Sequence, residues 1–263
     1  MSQLRNFLWT HRGVFLPRGV TKETMDVLPG FQIRDDDVVV ASYPKTGTNW
    51  LAEIVVKILR AAGKVAESSD TMMRGGALEM KLPTARRPGY INLAELPSPR
   101  LVITHLPIQF APKGISKPQN KVKVLVPMRN PKDTAVSMFH FSKKLMPMMG
   151  GNSDDLRWED FVQDFSARIV PYGDFCDHVS GWWQMRDDPH FLFLKYEDMK
   201  KDLPNAVNTT VTFLEVDLDE STINNIAEAS TFNNMKPILD NSTIPIRRFI
   251  ARKGWYLRHC PQR

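Results

Sequence analysis

Four short runs of the chain are almost continuously apolar: 37–42 (DVVVAS), 100–104 (RLVIT), 121–128 (KVKVLVPM) and 191–196 (FLFLKY). Continuous rather than alternating apolar residues over such short spans predict strands buried on both faces, the pattern of a parallel sheet. Between these runs the period becomes helical. Over 49–62, Trp50, Leu51, Ile54, Val55, Ile58 and Leu59 form one stripe, with Glu53 and Lys57 on the other face. Thr48 or Asn49 is placed to cap this helix, and Gly63 to end it. Further helices are predicted over 132–144, 157–168, 173–185, 203–214 and 219–230. Strands alternating with helices predict an α/β fold: a single domain, 1–263, with a mostly parallel central sheet flanked by helices and right-handed crossovers. Residues 83–89, 96–99 and 113–120, rich in Pro, Gly and Ser, read as surface loops.

Composition narrows the class. A length of 263 residues suits one sizeable core, and 42% hydrophobic with 24% charged residues excludes wholesale disorder. The two cysteines, Cys176 and Cys260, form no CxxC pair, which excludes a disulfide scaffold and a Cys-based zinc ribbon. No apolar run approaches the ~20 residues of a bilayer span, and Arg5, His11 and Arg12 interrupt the N-terminus where a secretory signal would be apolar. The expectation is a soluble, reduced, cytoplasmic protein without a membrane partner. The excess of 35 Lys and Arg over 29 Asp and Glu, a net charge of +6, favours an anionic partner whose kind depends on where the cations sit.

The cations sit at strand ends. Run 37–42 leads into Tyr43-Pro44-Lys45-Thr46-Gly47-Thr48-Asn49-Trp50, a turn that opens a helix. Gly47 can take positive φ, so successive amides converge on one anion at the positive end of the helix dipole. Lys45 adds a full charge, and Thr46 and Thr48 add hydroxyl donors. This P-loop-like segment is not GxxxxGK[ST], which disfavours a nucleoside kinase, and no GxGxxG supports a dinucleotide fold. Arg129 ends run 121–128, with Ser137 in the helix that follows, and Arg252-Lys253-Gly254 forms a third basic cluster. Three anion-binding segments point to a ligand with several phosphate-like groups rather than to nucleic acid.

With these motifs in order, 43–50 (YPKTGTNW), 104–107 (THLP), 129–141 (RNPKDTAVSMFHF), 196–200 (YEDMK) and 252–254 (RKG), the chain resembles the cytosolic sulfotransferases from about residue 28 to 254. The resemblance implies transfer of a sulfuryl group from 3′-phosphoadenosine 5′-phosphosulfate (PAPS) to a hydroxyl or amine of a small acceptor. It implies that Lys45, Thr46, Gly47, Thr48, Asn49 and Trp50 wrap the 5′-phosphosulfate, with Trp50 also near the adenine. Arg129, Ser137, Arg252, Lys253 and Gly254 match the 3′-phosphate site, and Tyr196, Ser230 and Phe232 match positions around the adenine. The order Ser230-Thr231-Phe232 inverts the family's Thr-Ser-Phe. His105 matches the family's catalytic base, and Lys45 is suited to neutralise the leaving oxygen. No metal is required, and no HExxH or similar ligand spacing occurs.

Two departures accompany the match. Ile103 stands where the family often has an auxiliary lysine, and after Gly254 the chain reads Trp255 to Arg263 in place of the family's closing segment and dimer motif. The expectation from the tail is a monomer, and a nucleotide-binding relative without useful turnover is the alternative to an active enzyme. His11, His140, His178, His190 and His259 read as structural or surface residues, and Trp182 and Trp183 as core. The methionines Met138, Met146, Met148 and Met149 read either as a loosely packed loop or as an adaptable lip of an apolar acceptor pocket. The acceptor pocket is expected from loops 72–92 and 138–155 and the segment after 233.

Overall fold

A computed structural model describes residues 3–65, 77–81, 87–119 and 121–235. Its first two strands escape the hydrophobic pattern. Strands β1 (Leu8–His11) and β2 (Val14–Pro17) form an antiparallel hairpin, turned by Arg12 and Gly13 at φ 48° and 85°. Positive φ at both central residues gives the tight turn whose twist matches that of paired strands.

The four apolar runs become β3 (Val38–Ala41), β4 (Leu101–Thr104), β5 (Lys123–Met128) and β6 (Phe191–Lys195), one parallel sheet in the order β4-β3-β5-β6. Val40 lies opposite both Ile103 and Leu125, and Leu125 opposite Leu192. Alternate side chains leave by opposite faces, and each face is covered. Val39, Ala41, Val102, Val124 and Val126 pack with the hairpin residues Leu8 and Leu16 and with Phe161 and Trp182. Val38, Val40, Leu101, Ile103 and Leu125 pack with Leu51, Ile54, Val55, Ile58, Val207, Val211 and Ile226.

The helices are α1 (Lys22–Val27), α2 (Thr48–Ala61), α3 (Gly89–Glu95), α4 (Lys113–Ser116), α5 (Pro131–Leu145), α6 (Trp158–Ser166), α7 (Phe175–Trp183), α8 (Tyr196–Lys201), α9 (Leu203–Phe213) and α10 (Glu220–Ala229). All six helices expected from periodicity are present; α1, α3, α4 and α8 were not expected, and α4 gives the loop 113–120 one helical turn. At the end of α2, Gly63 takes φ 67° and donates to the Arg60 carbonyl while Lys64 donates to that of Leu59, the paired closure that a left-handed glycine permits. The start of α2 departs from expectation. Its N-cap is Gly47, and Thr48 instead pairs its hydroxyl with Ser42 Oγ at 2.7 Å. Trp182 is core, but Trp183 is 41% exposed on the far side of the same helix. Met138 and Met146 are buried in the core, so only Met148, 38% exposed, has the character of a lip.

Opposite the site, a buried ion pair joins the starting ends of β3 and β4. Arg100 Nε donates to Asp37 Oδ1 at 2.8 Å and Nη2 to Asp37 Oδ2, both side chains lying almost wholly out of solvent. Two further donors are used: Nη1 reaches the Leu93 carbonyl of α3 at 3.2 Å, and Nη2 that of Gln32 at 2.9 Å. Asp37 Oδ2 also accepts from the Arg34 amide at 2.8 Å. Dense hydrogen bonding of this kind is what makes a buried charge pair tolerable; removal of one partner strands the other. Arg100→Met is therefore expected to lower unfolding stability by about 3–5 kcal/mol in urea titrations. A loss under about 1 kcal/mol would show that Asp37 is accommodated without its partner.

Candidate active site

The carboxyl ends of all four parallel strands deliver a candidate residue to one region. β3 runs into Ser42–Gly47, β4 into His105, β5 into Arg129, and β6 into Tyr196. This is where ligands of open α/β sheets bind.

The turn after β3 is built on two left-handed residues, Lys45 at φ 75° and Gly47 at φ 111°. A β-carbon on Gly47 would meet Tyr196 Cδ2 at 3.0 Å, so glycine answers both the dihedral and the close approach. Thr46 is buried, and its hydroxyl donates to the Tyr43 carbonyl at 2.8 Å. That proton closes the turn rather than facing a ligand, so the loop's donors here are amides and the Lys45 ammonium. No side chain caps the 14-residue helix α2, which leaves its first-turn amides directed at the loop.

Lys45 Nζ lies 4.5 Å from the centre of the Phe141 ring. Burial, with the Arg129 and Lys144 cations nearby, holds its ammonium well below the ordinary lysine range. Ser137 precedes Phe141 by one turn of α5 and so shares its face. Arg129 donates from Nη1 to the Lys45 carbonyl at 3.3 Å and stacks 4.3 Å over the Tyr196 ring, while its buried Nε has no partner. An orphaned donor beside a ring-stacked guanidinium suits an incoming anion.

Tyr196 connects the nucleotide-site candidates: it touches Gly47, carries Arg129, and meets Trp50 edge-on at 5.4 Å. Trp50 Nε1 donates to the Ser230 carbonyl at 2.8 Å, and Lys57 Nζ reaches the Ala229 carbonyl at 2.7 Å and Ser230 Oγ at 3.0 Å. Lys57, read from sequence as an exposed position, thus ties α2 to the end of α10. Asn49 lies in the first turn of α2, and half-buried Phe232 lies two residues beyond Ser230. Arg252, Lys253, Gly254 and the tail lie outside the described residues, as does most of the loop 72–92.

His105 is half-buried. Its Nδ1 is 2.9 Å from the Ser42 carbonyl and 3.3 Å from Ser42 Oγ. A carbonyl only accepts, so Nδ1 carries the hydrogen and Nε2 keeps the lone pair. Burial lowers the His105 pKa, Glu79 and the Ser42 contact raise it, and Lys45 lowers it further; the net shift is downward. Ser42 Oγ touches both Thr48 and His105, linking the phosphate-type loop to the imidazole.

Several supporting residues have no local sequence signal. His178 and Trp182, one turn apart on α7, donate to successive carbonyls: His178 Nε2 to His105 at 2.9 Å and Trp182 Nε1 to Leu106 at 3.2 Å. His178 is buried with Tyr43 edge-on at 5.2 Å. Tyr172, also buried, meets the His105 ring edge-on at 5.5 Å. Glu79, fully buried, accepts from the Thr104 hydroxyl and the His105 amide. The i,i+4 spacing of His178 and Trp182 was visible, but it reads equally as core packing. Among the described residues, no three His, Cys, Asp or Glu side chains gather as a metal would need, and no helix is long and apolar enough to cross a membrane.

Burial pushes the His178 pKa down to about 4. Above the ordinary imidazole value near 6.5 the group is neutral whether folded or unfolded. Between about 6.5 and 4 only the unfolded chain binds the proton, so stability falls as pH falls. The expected loss from this group is about 3 kcal/mol across that window. Urea midpoints at pH 7 and pH 4.5 for wild type and His178→Gln measure it, and an equal pH slope in both would refute it.

The model of the sulfotransferase domain matches residues 35–260. An amine sulfotransferase of Oryctolagus cuniculus is 36% identical over 238 residues, covering 90% of this chain and 75% of its own. Sulfotransferase 2A1 of Homo sapiens is 37% identical over 234 residues, covering 88% and 78%. Among solved structures, mouse sulfotransferase SULT7A1 complexed with PAP superposes with a TM-score of 0.71 at 30% identity, over 88% of this chain and 77% of the other. Retinol dehydratase in complex with androsterone and the inactive cofactor PAP gives 0.72 at 26% identity, over 90% and 76%. A match over most of the chain, with relatives above 30% identity, means that the chain belongs to the sulfotransferase family.

Proposed function

We propose that the protein transfers the sulfuryl group of PAPS to a hydroxyl or amine of a small acceptor, with His105 as general base. The observation that carries this reading is the hydrogen bond from His105 Nδ1 to the Ser42 carbonyl, which leaves Nε2 able to accept a proton. As the acceptor oxygen or nitrogen attacks sulfur, its proton passes to Nε2. The bond from sulfur to the bridging phosphate oxygen breaks, and its electron pair leaves with 3′-phosphoadenosine 5′-phosphate (PAP). In-line displacement puts new charge on that leaving oxygen, where Lys45 and the loop amides are expected to stabilise it. An arriving phosphosulfate would restore to Lys45 the full charge that burial and its cationic neighbours now disfavour.

The donor site in this reading comprises Lys45 to Trp50 for the phosphosulfate, Arg129 and Ser137 for the 3′-phosphate, and Trp50, Tyr196, Ser230 and Phe232 around the adenine. The PAP complexes of the related structures support it, as do the orphaned Arg129 Nε and the Tyr196 cluster. Arg252, Lys253 and Gly254 complete the 3′-phosphate site on the family pattern. We place the reaction in the cytoplasm, where a chain with two cysteines and no CxxC keeps its thiols reduced.

Three measurements test this reading. Titration calorimetry with PAP should give micromolar binding, weakened about ten-fold or more by Lys45→Ala or Arg129→Ala; absence of binding would leave the non-catalytic alternative. His105→Ala should lower turnover by about 10²–10⁴ with PAP affinity nearly unchanged. Because the neutral imidazole is the active form and its pKa is lowered, kcat/KM should rise with pH through a midpoint below about 6.5. Turnover that survives the substitution would remove His105 from the chemistry.

A further inference from the structure

The segment Thr104-His105-Leu106 is held on one side by α7 and on the other by a carboxylate that the proposed chemistry does not use. Ala77 makes a parallel bridge to Ile103, and Leu78 donates to the Ile103 carbonyl at 2.7 Å. Continued two residues on, that register sets Glu79 beside His105. Both Glu79 oxygens are occupied: Oε1 accepts the His105 amide at 2.9 Å and Oε2 the Thr104 hydroxyl at 2.9 Å. Thr104 Oγ1 in turn accepts the Leu106 amide at 3.2 Å. One fully buried side chain thereby fixes the backbone on which the imidazole stands.

We propose that Glu79 is a positioning residue for sulfuryl transfer, its buried carboxylate fixing the Thr104–Leu106 backbone and acting as counter-charge to the imidazolium formed when His105 takes the acceptor's proton. The proposal rests on His105 being the base. Two accepted hydrogen bonds and no donated one are what an ionised carboxylate does. A negative charge in a site shielded from water favours the protonated imidazole, whereas Lys45 opposes it. The other titratable groups at hand are Tyr172, whose buried hydroxyl faces Glu79 and is held well above the ordinary tyrosine range by burial, and His178, which is held neutral. Neither supplies a charge near neutral pH, so Glu79 and Lys45 are the charges acting on His105, beside the burial that lowers its pKa and the Ser42 contact that raises it.

Glu79→Gln keeps the shape and removes the charge. The His105 midpoint, read by NMR titration of its imidazole, should fall by about one pH unit or more, and the acid limb of kcat/KM should move the same way. With saturating PAPS, kcat should drop about ten-fold or more while KM for the acceptor stays within a few-fold. An unmoved His105 midpoint in a folded variant would overturn the proposal while leaving the base assignment intact. Turnover surviving in His105→Ala would instead overturn the base assignment, and the NMR titration would still report on Glu79. Glu79→Asp, which keeps the charge but withdraws it by one methylene, is the second variant. It should lower kcat while shifting the His105 midpoint less than Gln does; wild-type kcat and midpoint in the Asp variant would also overturn the proposal.

Discussion

The parallel register of four short strands is the constraint on which the site depends. Side chains alternate faces along a strand, so a slip of one residue would exchange the two cores and turn every strand-end residue away from its neighbours. Register is protected because both faces are buried: Val39 and Ala41 belong to one core, Val38 and Val40 to the other. The Arg100–Asp37 pair ties β3 to β4 at the end remote from the site. At the near end the same ladder continues as Ser42 donating to the Thr104 carbonyl, and the Ser42 carbonyl then receives His105 Nδ1. The orientation of the imidazole is in this sense the last rung of the sheet.

Charge is handled at the site by aromatic faces and a single buried carboxylate. Lys45, Arg129 and Lys144 lie near one another, an arrangement that like charges disfavour. Lys45 rests on Phe141 and Arg129 on Tyr196, whose negative ring faces offset part of the repulsion without occupying the hydrogen-bond donors. A carboxylate in the same place would compete with an anionic ligand; a ring does not. Glu79 stands apart from this group, behind the His105 backbone.

Sequence carried much of this because the sheet is buried on both faces, which makes its strands continuous apolar runs, and because α2, α5 and α9 are long enough to show a period. The elements that escaped are short or polar. Hairpin β1–β2 alternates over only four residues a strand, and α1, α3, α4 and α8 span one or two turns. Lys45, Gly47 and Arg129 were readable from their places at strand ends, and Tyr196 through the family resemblance. Glu79, His178 and Trp182 were not, since they reach backbone atoms 26, 73 and 76 residues away, which carry no residue-type signal, and Glu79 otherwise only the Thr104 hydroxyl. The exposed Trp183 and the glycine N-cap of α2 show the same limit: composition names a residue's preference, and tertiary geometry decides which neighbour satisfies it.

The left-handed backbone of Lys45 bears on where the enzyme stores its readiness. A residue with a β-carbon at φ 75° costs about 1 kcal/mol or more that glycine would not. The turn nevertheless carries a lysine there, so its amide and its ammonium come from a single residue, the ammonium resting on the Phe141 ring. The conformational cost is met once, when the chain folds. On the proposed function, an arriving donor then meets a backbone turn already formed, with little reorganisation left for the reaction itself.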